Sequence, residues 1–198
     1  MTRLKLCGLW RTADIDAANE ALPDYIGFVF APSRRQVRPA EAARLRERLA
    51  PQIRPVGVFA HAPIEEIAAL YRQGVIALAQ LHGGEGAAYI EALRERCAVP
   101  VIQALRMDRP GAAESIAHEA AYLLLDHGSG GTGAVFDWKS IPPLPKPYFL
   151  AGGIGLDNIE AALALKPYAV DISSGAETGG GKDRKKMLAL AKKVRNAA

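Results

Sequence analysis

Residues 4–30, LKLCGLWRTADIDAANEALPDYIGFVF, contain the pattern that decides the fold. A short apolar run, Leu4 to Cys7, is followed by a stretch with helical spacing, Ile15 to Leu22, and then by a β-rich run, Tyr25 to Phe30. Thr12 precedes the middle stretch and is a residue type that starts helices. The order strand, helix, strand predicts a parallel unit with a helical crossover.

The same alternation continues to the end of the chain. Further strands are predicted at Pro55 to Phe59, Ala77 to Leu81, Pro100 to Leu105, Tyr122 to Leu125, Tyr148 to Ala151 and Ala169 to Ser173. Further helices are predicted at Ala40 to Leu49, Ile67 to Tyr71, Ala87 to Cys97, Ala112 to His118, Leu156 to Leu165 and Arg184 to Arg195.

Eight strands that alternate with helices over 198 residues favour a closed barrel. An open, doubly wound sheet more often has about five or six strands. We therefore expect an α/β fold of the (β/α)₈ or TIM barrel class, with residues 1–198 forming a single catalytic domain.

Composition limits the class of protein. Hydrophobic residues make up 49% and charged residues 23%, which is typical of a water-soluble globular chain. We find neither an apolar run long enough to span a bilayer nor the hydrophobic region of a signal peptide. The expectation is a cytoplasmic protein that does not interact with membranes.

Charge and cysteine content argue against two further classes of protein. The net charge of +4 is mild, and the basic residues of the last predicted helix have no aromatic residues among them, so we expect no nucleic-acid partner. Cys7 and Cys97 are far apart and lack metal-ligand spacing, so neither a zinc site nor a disulfide is predicted. A monomer and a homodimer remain equally compatible with the sequence.

Polar residues at the strand ends mark the candidate site, because active sites of such barrels lie at the carboxyl ends of the strands. Cys7 ends the first strand on the same face as Lys5, although free cysteines are usually buried hydrophobic residues. Asp126 ends the sixth strand before a glycine-rich loop, His127 to Gly133. That position suits an acid or a base under a mobile loop, and a helix cap or a loop ion pair is the structural alternative.

Two loops suit a phosphate group. Gly152 and Gly153 follow the seventh strand, and Ser173 and Ser174 follow the eighth. Small residues there free backbone N–H groups at the place where this fold often binds phosphate, although glycines can also serve tight turns alone.

Two further strand ends carry polar residues that a substrate could meet. Arg35 follows the second strand and suits a carboxylate, although solvated arginines are common. His82 closes the fourth strand and could be a ligand-binding residue or a hydrogen-bonded wall residue.

The strand ends and the loops after them contain a set of short motifs. They are KLCG at 5–8, GFVF at 27–30 with SRR at 33–35, VGVF at 56–59, QLHG at 80–83, LLD at 124–126, GTG at 131–133 with FDW at 136–138, LAGGI at 150–154, and VDISSG at 170–175 with Glu177 and KD at 182–183. Taken together, in this order and along the whole chain, these motifs resemble those of one enzyme family, phosphoribosylanthranilate isomerase.

The resemblance implies an activity and residue functions. The reaction would be an Amadori rearrangement that converts an aminoaldose phosphate into an aminoketose phosphate in tryptophan biosynthesis, with no metal or organic cofactor. Cys7 would be the general base and Asp126 the general acid. The substrate would be held by Arg35 at its anthranilate carboxylate, by His82 and Asp171 around its anthranilate and sugar portions, and by Gly152, Gly153, Ser173 and Ser174 at its phosphate.

The acid–base chemistry requires an adjusted thiol. A free cysteine is mostly protonated at neutral pH, so we expect the site to lower the pKa of Cys7, with the Lys5 charge as the cause.

Two other functions remain open from the residues alone. Lys5 could form a Schiff base in an aldolase-type barrel. Alternatively, the barrel could bind a phosphate compound without catalysis.

Overall fold

The computed structural model describes residues 1–108, 115–127, 138 and 141–197. Eight parallel strands form a closed barrel in chain order, β1 to β8, so the predicted TIM barrel is confirmed. The strands are β1 (Arg3–Cys7), β2 (Tyr25–Val29), β3 (Arg54–Phe59), β4 (Leu78–Leu81), β5 (Val101–Arg106), β6 (Tyr122–Asp126), β7 (Tyr148–Leu150) and β8 (Ala169–Ile172).

Helices surround the barrel. The described helices are α1 (Thr12–Ala21), α2 (Pro39–Arg48), α3 (Ile64–Arg72), α4 (Ala87–Arg96), α5 (Ile159–Ala164) and α6 (Arg184–Asn196). None of these described helices is both long and apolar enough to cross a membrane. A short hairpin, β9 (Glu177–Thr178) and β10 (Gly181–Lys182), lies between β8 and α6.

The strand register closes the barrel at β1. Lys5 pairs with Tyr25 of β2 on one side and with Asp171 of β8 on the other. Because side chains alternate along a strand, Lys5 and Cys7 point inward while Leu4 and Leu6 point outward to the helices. Leu6 is completely buried in that outer layer.

Apolar side chains fill the lower part of the barrel interior. They form one buried cluster made of Tyr25, Val56, Leu78, Ile102, Leu124, Phe149, Ala151 and Ala169. Inward-facing residues nearer the carboxyl ends of the strands are polar instead, among them Lys5, Gln80 and Asp171. The barrel is thus a packed core with a polar upper layer.

Tyrosines close the amino-terminal end of the barrel. The hydroxyls of Tyr25 and Tyr168 lie 2.8 Å apart, and Tyr168 donates to Tyr122 over 3.3 Å. Arg3 covers the Tyr168 ring at 4.3 Å from its centroid, a cation–π distance. This end serves stability, and the polar chemistry lies at the opposite end.

The predicted elements are largely confirmed. Every strand agrees with its predicted bounds to within one residue, and the six described helices agree to within three. The helix predicted at Ala112 to His118 falls partly on residues 109–114, outside the described part, and its described part contains no α-helix. The β9–β10 hairpin was not predicted, because two-residue strands are too short to show a periodicity.

Candidate active site

Cys7 ends β1 and points into the mouth of the barrel. Its neighbour across the strand pair is Gly27, and a Cβ at that position would lie 2.6 Å from the Cys7 sulfur. Glycine at 27 therefore leaves the space that the thiol occupies. Gly8 follows with a φ of +78°, a conformation that glycine adopts readily, and turns the chain away from the barrel.

A buried ion pair lies beside the thiol. Lys5 donates from Nζ to Asp171 Oδ2 over 2.8 Å, and the two side chains are 0% and 8% exposed. The Lys5 ammonium also interacts with Cys7. Burial lowers the pKa of Lys5, but Asp171 and Cys7 outweigh it, so that this pKa is raised. Lys5 is thus a fixed cation at the base of the pocket.

The pKa of Cys7 does not follow the expectation. Burial, together with the charge of Asp171, raises the pKa of the thiol, and the opposing charges of Lys5 and Lys182 do not overcome these two effects. Lys5 does lower the pKa of Cys7, as predicted, but the predicted net lowering is wrong because the total shift is upward. Loss of hydration and repulsion by the Asp171 carboxylate destabilise the thiolate more than the two nearby ammonium groups stabilise it. The resting group is therefore a protonated thiol.

Asp126 ends β6 and is also buried at the mouth. Its Oδ1 accepts the backbone N–H of His127 over 2.8 Å, and its Oδ2 lies 3.5 Å from Nε2 of His82. Nδ1 of His82 in turn lies 3.1 Å from the side-chain nitrogen of Gln80. The structure therefore brings Asp126 and His82 together, and the following glycine-rich loop lies outside the described residues from position 128 onward.

Arg35 reaches the same end of the barrel but already has an anionic partner. Its Nε and Nη2 donate to the two carboxylate oxygens of Glu177 over 2.6 and 3.0 Å. Its aliphatic part packs on Gly8, where an added Cβ would lie 2.5 Å from Arg35 Cδ. Arg35 is thus anchored directly above the residue that follows Cys7.

Lys182 is a member of the site that was noted only as part of a motif. Its Nζ donates to Glu177 Oε1 over 2.7 Å and to the carbonyl oxygen of Ser173 over 2.9 Å, and its side chain is 1% exposed. Burial lowers the pKa of Lys182 against the opposing effect of Glu177. In the sequence, only the KD motif indicated that Lys182 belongs to the site. A lysine that precedes a basic helix is otherwise expected to be exposed to solvent.

The two loops predicted for phosphate are adjacent. Gly152 and Gly153 have φ angles of +89° and +64°, and their N–H groups donate to no described residue. Gly175, in the 3-10 helix that begins at Ser174, lies so close that an added Cβ would be 2.0 Å from the carbonyl oxygen of Ile154. The two loops therefore form one continuous rim that contains Ser173 and Ser174.

The described parts of the chain thus hold three groups at one end of the barrel. They are Asp171, Lys5 and Cys7; Asp126, His82 and Gln80; and Arg35, Glu177, Lys182 and the Ser173 carbonyl. Across residues 1–108, 115–127, 138 and 141–197, no cluster of three or more histidine, cysteine or acidic side chains has the arrangement of a metal site.

Comparison with known proteins decides the family. A family model described as N-(5'phosphoribosyl)anthranilate (PRA) isomerase matches residues 4–193. The chain belongs to this family. The resemblance inferred from the strand ends is therefore confirmed, and the match runs from β1 into α6.

Relatives in the family are similar along their whole length. An N-(5'-phosphoribosyl)anthranilate isomerase from Endomicrobium trichonymphae is 43% identical over 201 residues, covering 99% of this chain and 100% of the relative. The crystal structure of a phosphoribosyl anthranilate isomerase from Thermus thermophilus matches with a TM-score of 0.88 at 36% identity, covering 100% of both chains.

One solved family member contains a ligand. A phosphoribosyl anthranilate isomerase in complex with reduced 1-(o-carboxyphenylamino)-1-deoxyribulose 5-phosphate matches with a TM-score of 0.85 at 31% identity, covering 99% of this chain and 100% of that one. That ligand carries a carboxylate and a phosphate, the two anionic groups that were assigned from the sequence to Arg35 and to the loops after β7 and β8.

Proposed function

We propose that this chain catalyses the isomerisation of N-(5'-phosphoribosyl)anthranilate to 1-(2-carboxyphenylamino)-1-deoxyribulose 5-phosphate in tryptophan biosynthesis. The observation that carries the proposal is one arrangement at the carboxyl end of the barrel. A buried thiol, a buried carboxylate, an anchored arginine and a glycine–serine rim meet there in a chain of this family.

Asp126 is the proposed general acid. It delivers a proton to the ribose ring oxygen, the bond from C1′ to that oxygen breaks, and the sugar opens to a Schiff base. Asp126 is buried at the end of β6, so bulk water is kept away from the place of proton transfer. Oδ1 accepts the His127 N–H, and we assign the proton transfer to Oδ2, which lies 3.5 Å from Nε2 of His82.

Cys7 is the proposed general base. It removes the C2′ proton of the Schiff base, giving an enolamine that tautomerises to the ketone. The thiol proton is afterwards lost to solvent, and Asp126 takes up a proton from solvent, so that the isomerisation involves no net gain or loss of protons. The raised pKa of Cys7 means that the thiolate is a minor species at neutral pH and a strong base once formed. Lys5 stabilises that thiolate and holds Asp171 in place.

The remaining side chains hold the substrate. Arg35 binds the anthranilate carboxylate, and His82 lies on the same wall beside Asp126. Asp171 Oδ1 is buried and accepts no hydrogen bond in the described structure, which suits a hydroxyl of the sugar. The N–H groups of Gly152 and Gly153, with Ser173 and Ser174 opposite, bind the phosphate.

The aldolase alternative is disfavoured by the state of Lys5. A Schiff-base lysine must be available as a neutral amine, which requires a lowered pKa. The pKa of Lys5 is instead raised, because Asp171 and Cys7 outweigh burial. A cation held at 2.8 Å by a buried carboxylate is a poor nucleophile.

Turnover tests the proposed function directly. Phosphoribosylanthranilate is generated in situ, and its fluorescence is followed after the purified protein is added. We expect the fluorescence to disappear at a rate proportional to protein concentration, with inorganic phosphate as a competitive inhibitor. Binding of the reduced product analogue without turnover would identify a phosphate-binding barrel instead of an enzyme.

A further inference from the structure

Glu177 is buried among three cations at the mouth of the barrel. Arg34 donates from Nη2 to Oε2 over 2.6 Å, Arg35 donates to both carboxylate oxygens, and Lys182 donates to Oε1 over 2.7 Å. Each carboxylate oxygen therefore accepts two hydrogen bonds, which fills its lone pairs. One negative charge faces three positive charges, so this cluster retains a net positive charge.

The contact with Arg35 uses a specific edge of the guanidinium. Nε and the near N–H of Nη2 form the side-on pair that faces Glu177. Nη1 donates to no described residue. In a planar guanidinium the second N–H of Nη2 is parallel to one N–H of Nη1, so the two form the end-on edge of the group. The end-on pair, Nη1 with Nη2, is therefore the one edge of Arg35 that a ligand carboxylate can engage with two parallel hydrogen bonds.

Arg35 has little other freedom. Its side chain is 11% exposed, and its Cδ packs on the backbone at Gly8, next to Cys7. Without Glu177, the guanidinium could rotate about its side-chain torsions and would be repelled by Arg34 and Lys182. A long arginine side chain loses substantial rotamer freedom when it is fixed, and Glu177 supplies that ordering before a ligand arrives.

We infer that Glu177 is a positioning residue that presents the end-on edge of Arg35 to the aromatic carboxylate of the substrate, and so sets the preference for a carboxylated aryl group. This inference rests on the proposed function, because it takes Arg35 as the carboxylate-binding residue. Glu177 itself contacts no part of the substrate and acts through Arg35.

The test compares two ligands and needs no turnover. The first is reduced 1-(o-carboxyphenylamino)-1-deoxyribulose 5-phosphate, and the second is the same compound without the carboxyl group. Titration calorimetry gives the ratio of their affinities for the wild type, Glu177→Gln, Arg35→Ala and the double variant. Arg34→Ala is the matched control, because Arg34 binds the same carboxylate but is half-exposed and does not anchor Arg35.

In the wild type the carboxylated ligand should bind at least about tenfold more tightly, as hydrogen bonds between charged groups allow. Glu177→Gln should reduce that ratio several-fold, whereas Arg34→Ala should leave it unchanged. In the Arg35→Ala background, adding Glu177→Gln should not change the ratio further. If Glu177→Gln lowers the affinities for both ligands by the same factor, the inference is overturned, because Glu177 would then have only a structural function.

Two further outcomes are distinguishable. A wild type that does not discriminate between the ligands overturns this inference together with the carboxylate-binding function of Arg35, while the fluorescence assay of turnover tests the proposed isomerisation separately. If Glu177→Gln does not fold, Glu177→Asp replaces it, because aspartate keeps the charge but is one methylene too short to span Arg35 and Lys182. An unchanged ratio in folded Glu177→Asp overturns the inference.

Discussion

At the scale of single residues, the site depends on a balance between burial and charge at Cys7. Burial and the Asp171 charge destabilise the thiolate more than Lys5 and Lys182 stabilise it, so the pKa of Cys7 is raised. The thiolate fraction therefore increases as the pH rises above the ordinary thiol range of about 8.5. Catalysis by Cys7 should accordingly increase with pH through and beyond that range, as long as the protein stays folded.

Lys5→Met tests the function of the buried cation. Methionine fills a similar volume without charge, so Cys7 loses a stabilising partner and Asp171 is left buried and unpaired. We expect the pKa of Cys7 to rise further, and the free energy of unfolding to fall by about 3–5 kcal/mol, as for other broken buried ion pairs.

Alkylation rates measure the thiol directly. The chain has two cysteines, Cys7 and Cys97, so a Cys97→Ser background reports Cys7 alone. The pH at which iodoacetamide reacts half-maximally should shift upward in Lys5→Met and stay unchanged in the control Lys192→Met, which alters an exposed residue of α6. An unshifted profile in Lys5→Met would show that Lys5 does not act on the thiol.

At the scale of elements, the loops after β7 and β8 work as a pair. Gly175→Ala would place a methyl group 2.0 Å from the Ile154 carbonyl oxygen, which forces the two backbones apart. We expect a destabilisation of about 1–3 kcal/mol, typical of overpacking, and weaker competitive inhibition by inorganic phosphate. Gly86→Ala is the control, since nothing lies within 4 Å of the added Cβ. An unchanged phosphate inhibition constant in folded Gly175→Ala would place the phosphate elsewhere.

The same scale shows what the sequence could predict. Strands such as Leu78–Leu81 and Tyr122–Asp126 were predictable because a short, mostly apolar run that ends at or just before a polar residue can be recognised in the sequence alone. The pairing of Arg35 with Glu177 joins residues 142 positions apart and follows only from closure of the barrel. The direction of the Cys7 pKa shift was predicted wrongly for a related reason. Burial and Asp171 raise this pKa while Lys5 and Lys182 lower it, and their balance depends on distances that the sequence does not contain.

At the scale of the whole molecule, Glu177 couples the site to stability. Burial raises its pKa, but hydrogen bonds and charge from Arg35 and Lys182 outweigh this and lower the pKa to about 2. An unfolded glutamate titrates near about 4.3. The stabilisation is therefore fully present above the unfolded pKa and is lost as the pH falls through about 2.

Acid unfolding of Glu177→Gln checks this coupling. The wild type should lose free energy of unfolding more steeply than the variant between about pH 4.5 and the folded pKa of about 2. Glu91→Gln, which changes an exposed residue of α4, should follow the wild type. Urea titrations across this pH range give the slopes, and parallel curves for the wild type and Glu177→Gln would contradict the assigned pKa.

The central claim is that one thiol and one carboxylate at the mouth of this barrel perform the isomerisation, and Cys7→Ser tests it most directly. Serine keeps the shape but supplies essentially no anion at neutral pH, so kcat for phosphoribosylanthranilate should fall by at least about 10²- to 10⁴-fold while the reduced product analogue still binds. Asp126→Asn should be comparably disabled, and the double variant should lose less than the product of the two single losses. Full activity in folded Cys7→Ser would contradict the mechanism.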